Sequence, residues 1–329
     1  MYRIEKLVEI CRDKTVYIQT HNFPDPDAIA SAFGIQKLLK FYGIDATLCY
    51  AGRIDKFSTA KMLRLFHIEM HSYESLQANM TESDYIICVD SQKNTGNITD
   101  FIGQEVASID HHPSFVRSTY LYEDIRVTGA CASIVAEYFK EAGLTPDCET
   151  ATALLYGIKI DTQQFSRGVT LLDISMFAFL YPFIDQAKLK NLEHNNIEFN
   201  DLQAYGAAIE NVKVYGTVGF SRIPFPCPDA LIATISDFIL SLEEVQVSII
   251  FSSRADGIKF SVRSEIPDIH AGELIHKTLK TLGSGGGHSA MAGGIIPEQN
   301  VAILGDHPEN RIIQLFLDQL EHTGYAKYL

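Results

Sequence analysis

The chain has 329 residues, a length suited to two domains. Hydrophobic residues are 46% and charged residues 21%, a globular balance that excludes collagenous, coiled-coil and disordered chains. Lys and Arg number 27 against 41 Asp and Glu, a formal charge of −14. Such a surface excludes a broad basic face for duplex DNA, but admits a small anion wherever bound cations neutralise the carboxylates.

Residues 1–14 mix charged and apolar positions without a signal-peptide core, so a cytoplasmic chain is expected. Residues 15–20 are a β-rich run. Residues 27–42 follow with Ala28, Ala32, Ile35, Leu38, Leu39 and Tyr42 at helical spacing, ended by Gly43. Strand-like runs recur at 46–50, 85–89 and 106–109. Helical patterns occupy 130–141, closed by Gly143, and 148–160. This alternation predicts an α/β domain with a mainly parallel sheet and helices on both faces.

The apolar run at 176–184 contains Pro182 and is about half a membrane span, so no transmembrane helix is expected. It lies in a helical, polar-rich stretch, 171–209, that carries the chain out of the first domain. Beyond it, 212–220 alternates around a turn, and 245–252 and 258–262 flank the hairpin signal Asp256-Gly257. Helices are expected near 229–242, 271–282 and 310–321. The expected division is a larger α/β domain at 1–190, a helical linker at 191–205 and a smaller α/β domain at 206–329. Cys11, Cys49, Cys88, Cys131, Cys148 and Cys227 form no CxxC pair and read as reduced, structural residues.

Three strand-like runs end in metal-ligating types. The first runs into His21, with Asp25 and Asp27 following; the second into Asp90; the third into Asp110, His111 and His112. Carboxyl ends of parallel strands share one sheet edge, so these residues form a site unless the strand order separates them. Singly, each has an ordinary explanation: Asp25 and Asp27 flank Pro26 as turn and cap residues, and Asp90 suits a strand-end turn. Asp161, at the end of a helical run, is unremarkable alone. Together, His21, Asp25, Asp27, Asp90, His111 and Asp161 suit two divalent ions with a bridging carboxylate. Oxygen-rich ligation with two imidazoles and no thiolate favours Mn2+, with Mg2+, Co2+, Fe2+ or Zn2+ open.

The second half offers Gly283-Ser-Gly-Gly-Gly-His288, which lacks the Walker pattern and follows a helix rather than a strand. Its glycines allow an anion-binding nest or merely a flexible connection. Ser261 and Arg263 alternate along a strand and share a face, suited to phosphate or to a surface salt bridge.

In order, HxxxDxDA (His21 to Ala28), Val89-Asp90, Asp110-His111-His112 and GIKIDT (Gly157 to Thr162) resemble the DHH phosphoesterases. The GSGGGH stretch followed by AxAGG resembles the DHH-associated C-terminal domain. Within that family, length and layout resemble the bifunctional oligoribonuclease/pAp phosphatases (nanoRNases). The resemblance implies an active site in an interdomain cleft. There His21, Asp25 and Asp90 would hold one manganese, and Asp27, Asp90, His111 and Asp161 the second. Asp90, His111 and His112 would be catalytic, with His112 contacting the scissile phosphate. Ser261, Arg263, Gly285, Gly286, Gly287 and His288 would bind the remainder of the substrate.

Implied partners are short single-stranded oligonucleotides or nucleotide phosphates, without membrane or duplex DNA; a homodimer is left open. Two departures stand out: Phe23 occupies a position commonly Asn in the family, and Pro26 one commonly Gly. Alternatives are an inorganic pyrophosphatase or short-chain exopolyphosphatase, and a non-catalytic nucleotide-binding regulator.

Overall fold

The computed structural model describes residues 3–54, 57–114, 118–194 and 198–325. The chain divides into two units, residues 1–196 and 197–329. The first contains α1 (Arg3–Cys11), β1 (Val16–Thr20), α2 (Pro26–Phe41), β2 (Ala46–Tyr50), α3 (Phe57–Leu65), β3 (Met70–Ser72) and α4 (Tyr73–Leu76). Then come β4 (Tyr85–Val89), β5 (Gln104–Asp110), β6 (Tyr122–Ile125), α5 (Cys131–Glu141), α6 (Cys148–Asp161), α7 (Leu171–Leu180) and α8 (Gln186–Glu193).

Its six strands run in the order β3-β2-β1-β4-β5-β6, and every neighbouring pair is parallel. The two faces are covered unequally. Val16, Ile18, Leu48, Ile87, Val89 and Ile109 pack into a large core with residues of α1, α2, α5 and α6. On the other face Tyr17, Cys49, Ile86 and Cys88 meet a thin cover of Met80, Phe101 and residues of α4. Tyr73 stacks on Phe101 there, with ring centroids 3.9 Å apart. The expected helical layer on both faces is thus heavy on one side only, because among the described residues the connections β4–β5 and β5–β6 carry no helix.

The second unit contains α9 (Leu202–Glu210), β7 (Lys213–Tyr215), β8 (Val218–Ile223), α10 (Asp229–Leu240), β9 (Val247–Arg254), β10 (Gly257–Ser264) and α11 (Ala271–Leu279). It ends with β11 (Ser284–Gly287), β12 (Met291–Pro297), α12 (Glu298–Val301) and α13 (Pro308–His322). The sheet order is β11-β12-β10-β9-β8-β7, antiparallel except for the β8–β9 pair. One face packs on α11 and α13, the other on α9 and α10. Residues 202–205 of the expected linker are the first turn of α9, and Ala204 is buried in this unit's core. Residues 195–197 of that linker lie outside the described residues.

The hairpin turn is one step earlier than the Asp-Gly signal implies. Arg254 pairs with Gly257, leaving Ala255 and Asp256 as the turn. Gly257 is needed for proximity instead: an added Cβ would lie 2.0 Å from the Ile296 carbonyl oxygen.

The glycine tract is a larger correction. It is neither nest nor flexible connection but β11, an edge strand paired with β12. An added Cβ on Gly283 would lie 1.9 Å from Ile295 O. On Gly285 and Gly294 it would approach Ile275 of α11 to 2.9 and 2.7 Å. Glycine is required at Gly285 and Gly294 by the α11 side chain above them and at Gly283 by the β12 backbone, whereas an added Cβ on Gly286 would meet nothing within 4 Å.

Candidate metal centre

The strand order brings β1, β4 and β5 side by side. The chain leaves β1 towards β2 on one side and later returns to β4 on the other, so the β1/β4 boundary is the switch point where open parallel sheets bind ligands. His21 follows β1, Asp90 follows β4, and Asp110 to His112 close β5. Two helices complete the ring. Asp25 is the N-cap of α2, accepting from Asp27 N and Ala28 N at 3.0 and 3.1 Å, with Asp27 in the first turn. Asp161 is the last residue of α6.

Ligand-type atoms of His21, Asp25 and Asp90 lie within 4.8 Å of one another, as do those of Asp27, His111 and Asp161, and of Asp90, His111 and His112. Asp90 is central. It is 2% exposed with φ +57°, an uncommon backbone for a non-glycine residue. Its carboxylate is 3.6 Å from His21 Nε2 and 3.3 Å from His111 Nε2. His111 Nε2 is also 3.2 Å from Asp161.

The tautomers are set by backbone carbonyls. His21 Nδ1–H donates to Asn22 O at 2.8 Å, and His111 Nδ1–H donates to Thr128 O at 3.0 Å. Each neutral ring therefore turns an Nε2 lone pair towards carboxylate oxygens, an arrangement that demands a cation or a proton between them. Without a metal, protons serve. Burial opposes charge on both rings, yet Asp25 and Asp90 push His21 up to about 9, and Asp90, Asp27 and Asp161 push His111 up to about 11. Burial, with Asp25 and Asp90 nearby, lifts Asp161 to about 6. Burial first, and Asp90 and Asp161 next, raise Asp27 well above the carboxylate range. Among the described residues, Asp90 Oδ1 is buried and accepts no hydrogen bond. Two lone pairs, clustered carboxylates and an unsatisfied oxygen fit divalent cations.

His112 differs from its neighbour. Its Nδ1–H donates to Asp110 Oδ1 at 2.9 Å, and its ring is half exposed. Asp110 is an organiser that sequence reasoning left without a role. Its Oδ1 also accepts from His111 N at 2.7 Å, and its Oδ2 from Gln92 Nε2 at 2.7 Å. Gln92 in turn donates to His112 O at 3.1 Å. Burial would raise Asp110, but these donors hold it below its usual range.

The sequence marks Gly129 to Ser133 as a helix start whose NH groups suit an anion or ordinary capping, and the segment 128–132 supports the site in that way. Thr128 O holds His111, while Cys131 N and Ala132 N, at the start of α5, donate to Asp27 at 2.7 and 3.0 Å. Asp173 of α7 clamps the segment, accepting from Gly129 N at 2.9 Å, Ser133 Oγ at 2.6 Å and Thr170 N at 2.7 Å. No sequence signal marked Asp173 beyond a capping box.

In the second unit, Ser261, Arg263, Gly285 and Gly286 line one cleft of about 500 Å³ with Lys259 and Asp229. Arg263 Nε donates to Asp237 at 2.6 Å and its Nη1 to Ser261 Oγ at 3.1 Å. Gly287 and His288 are outside that lining; His288 is exposed, its backbone tied to Met291 and Gly272.

Comparison with known proteins follows this division. Residues 15–158 match the DHH family N-terminal domain, and residues 218–312 the DHHA1 domain. The chain is 29% identical over 282 residues to an uncharacterised Methanocaldococcus jannaschii protein, covering 85% of this chain but 57% of that one. It is 24% identical over 321 residues to the bifunctional oligoribonuclease and PAP phosphatase NrnA of Thermus thermophilus, covering 94% and 91% of the two chains. The crystal structure of an exopolyphosphatase-related protein from Bacteroides fragilis shares the fold, with a TM-score of 0.78 at 18% identity over 99% and 97% of the chains. With the strand-end acids and histidines in the first unit and the glycine-rich hairpin in the second, the chain belongs to the DHH family of phosphoesterases and carries a DHHA1 domain.

Proposed function

We propose that the chain is a manganese-dependent hydrolase that releases 5′-mononucleotides from very short RNA and removes a phosphate from pAp. The observation that carries this reading is the convergence of two imidazole lone pairs on carboxylates around Asp90, with His112 held outward beside them. His21, Asp25 and Asp90 would hold one ion, and Asp27, Asp90, His111 and Asp161 the other. An oxygen-rich set with two imidazoles and no thiolate suits Mn2+. Bound cations supply charge neutralisation for phosphate oxygens and lower the pKa of water.

The chain's own groups do the rest. Asp110 orients His112 through Nδ1, which leaves Nε2 to face a phosphate or leaving oxygen. Burial of Asp27 and Asp90 excludes competing water from the ligand oxygens. Within the second unit, the cleft lined by Lys259, Ser261 and Arg263 would offer cationic and hydroxyl donors to a phosphate. Likeness over nearly the whole chain to the Thermus enzyme supports this substrate class. The intact donor set supports turnover over mere nucleotide sensing.

The test compares manganese-dependent release from a labelled diribonucleotide, pAp and pyrophosphate. Turnover of the first two is expected. Fast turnover of pyrophosphate alone would establish the pyrophosphatase alternative.

A further inference from the structure

Phe23 lies two residues from both His21 and Asp25, so its Cα is within about 7.6 Å of each. Its φ is +56°, a region where a bulky residue is strained and Asn is tolerated far better. The surroundings impose that backbone. Phe23 N donates to Ala51 O at 3.1 Å and Asn22 N to Asn97 O at 2.7 Å. Asn22 Oδ1 accepts from Thr99 N and Oγ1, each at 3.1 Å. Burial does not offset the strain, since Phe23 is 59% exposed. One side of its ring lies over Gly52, where an added Cβ would meet three ring carbons at 3.0–3.1 Å.

We propose that Phe23 is a stacking platform for a nucleobase, and therefore a specificity-determining residue that selects base-bearing phosphate esters over base-free ones. The inference rests on the nucleotide reading above and sharpens it. Aromatic faces hold bases with little preference among them, and strained residues over-determined by their surroundings gather at ligand sites. A ring braced by Gly52 on a pinned backbone loses little freedom when a base settles on it.

Phe23→Asn is the decisive substitution, with Phe23→Tyr as the ring-retaining comparison. Wild type and both variants are assayed with Mn2+ against 5′-phosphorylated diadenylate and its abasic analogue, in which hydrogen replaces both bases. Tm is measured in parallel. Phe23→Asn is expected to raise Tm, because Asn accepts the left-handed backbone. It is also expected to cut the preference for diadenylate over the abasic analogue about tenfold, mostly through KM. Phe23→Tyr keeps the preference. An unchanged preference in Phe23→Asn overturns the stacking role while leaving the oligonucleotide reading in place. Wild-type turnover of pyrophosphate but of neither dinucleotide overturns that reading instead.

Discussion

Asp90 concentrates the demands of the centre on one side chain. It is buried, adopts a left-handed backbone, and offers an unsatisfied oxygen between two imidazoles. Asp90→Asn keeps the shape but removes the charge, so it is expected to lose affinity for divalent metal and to lower kcat/KM by on the order of a thousandfold or more. Elemental analysis beside kinetics checks both. His112→Asn should behave differently: bound metal retained, with kcat reduced by about 10²–10⁴-fold, the usual worth of a positioned acid or base. Loss of metal from that variant would make His112 a ligand rather than a substrate contact. At this scale the sequence was informative because the ligand types stand at strand ends, where parallel strands converge. Asp110 and Thr128 were not legible as organisers. Each acts through a hydrogen bond to a neighbour's ring, a relation that no spacing encodes.

Among the elements, α7 shows how a capping residue reaches beyond its own helix. Asp173 caps α7 and also grips the segment that orients His111 and Asp27. Asp173→Asn is expected to destabilise the chain by about 2–4 kcal/mol, since it leaves buried donors poorly matched. Burial would raise this carboxyl, but Ser133, Thr170 and Gly129 hold it below its usual value. A folded pKa below the unfolded one gives stability that is full above about pH 3.9 and is lost as pH falls through the folded value. Wild type should therefore lose more Tm than Asp173→Asn between pH 6 and pH 3. Helices and strands with clear periodicity were legible before the structure, whereas β11 was not. Alternation is read from side chains, and three of the four residues of β11 are glycine. The packing that demands glycine there also yields a test: Gly294→Val would force a side chain against Ile275, Leu279 and Ser284 O. A loss of about 1–3 kcal/mol is expected, measured by chemical denaturation.

For the whole molecule, two units have separate apolar cores, and the clustered acids and histidines lie in the first. Four carboxylates in the first unit repel one another unless cations intervene, so chelation should lower the melting temperature of that unit. Calorimetry with Mn2+ at about one hundred times its Kd should add about 2.7 kcal/mol to the unfolding free energy of one transition. A shift confined to the second unit's transition would place the ions elsewhere.

The edge strand β11 has a consequence for how selectivity can change over time. Beyond Ser284, this edge meets its surroundings with amides and carbonyls, groups that every amino acid shares. Side chains at Gly285 or Gly287 would collide with Ile275 of α11 or with Met291 and Ala292 of β12, so new chemistry on this strand has room only at Ser284 and Gly286. Lys259, Ser261 and Arg263 line the same cleft, and exchanges there would alter its chemistry and leave the glycine packing of the hairpin intact.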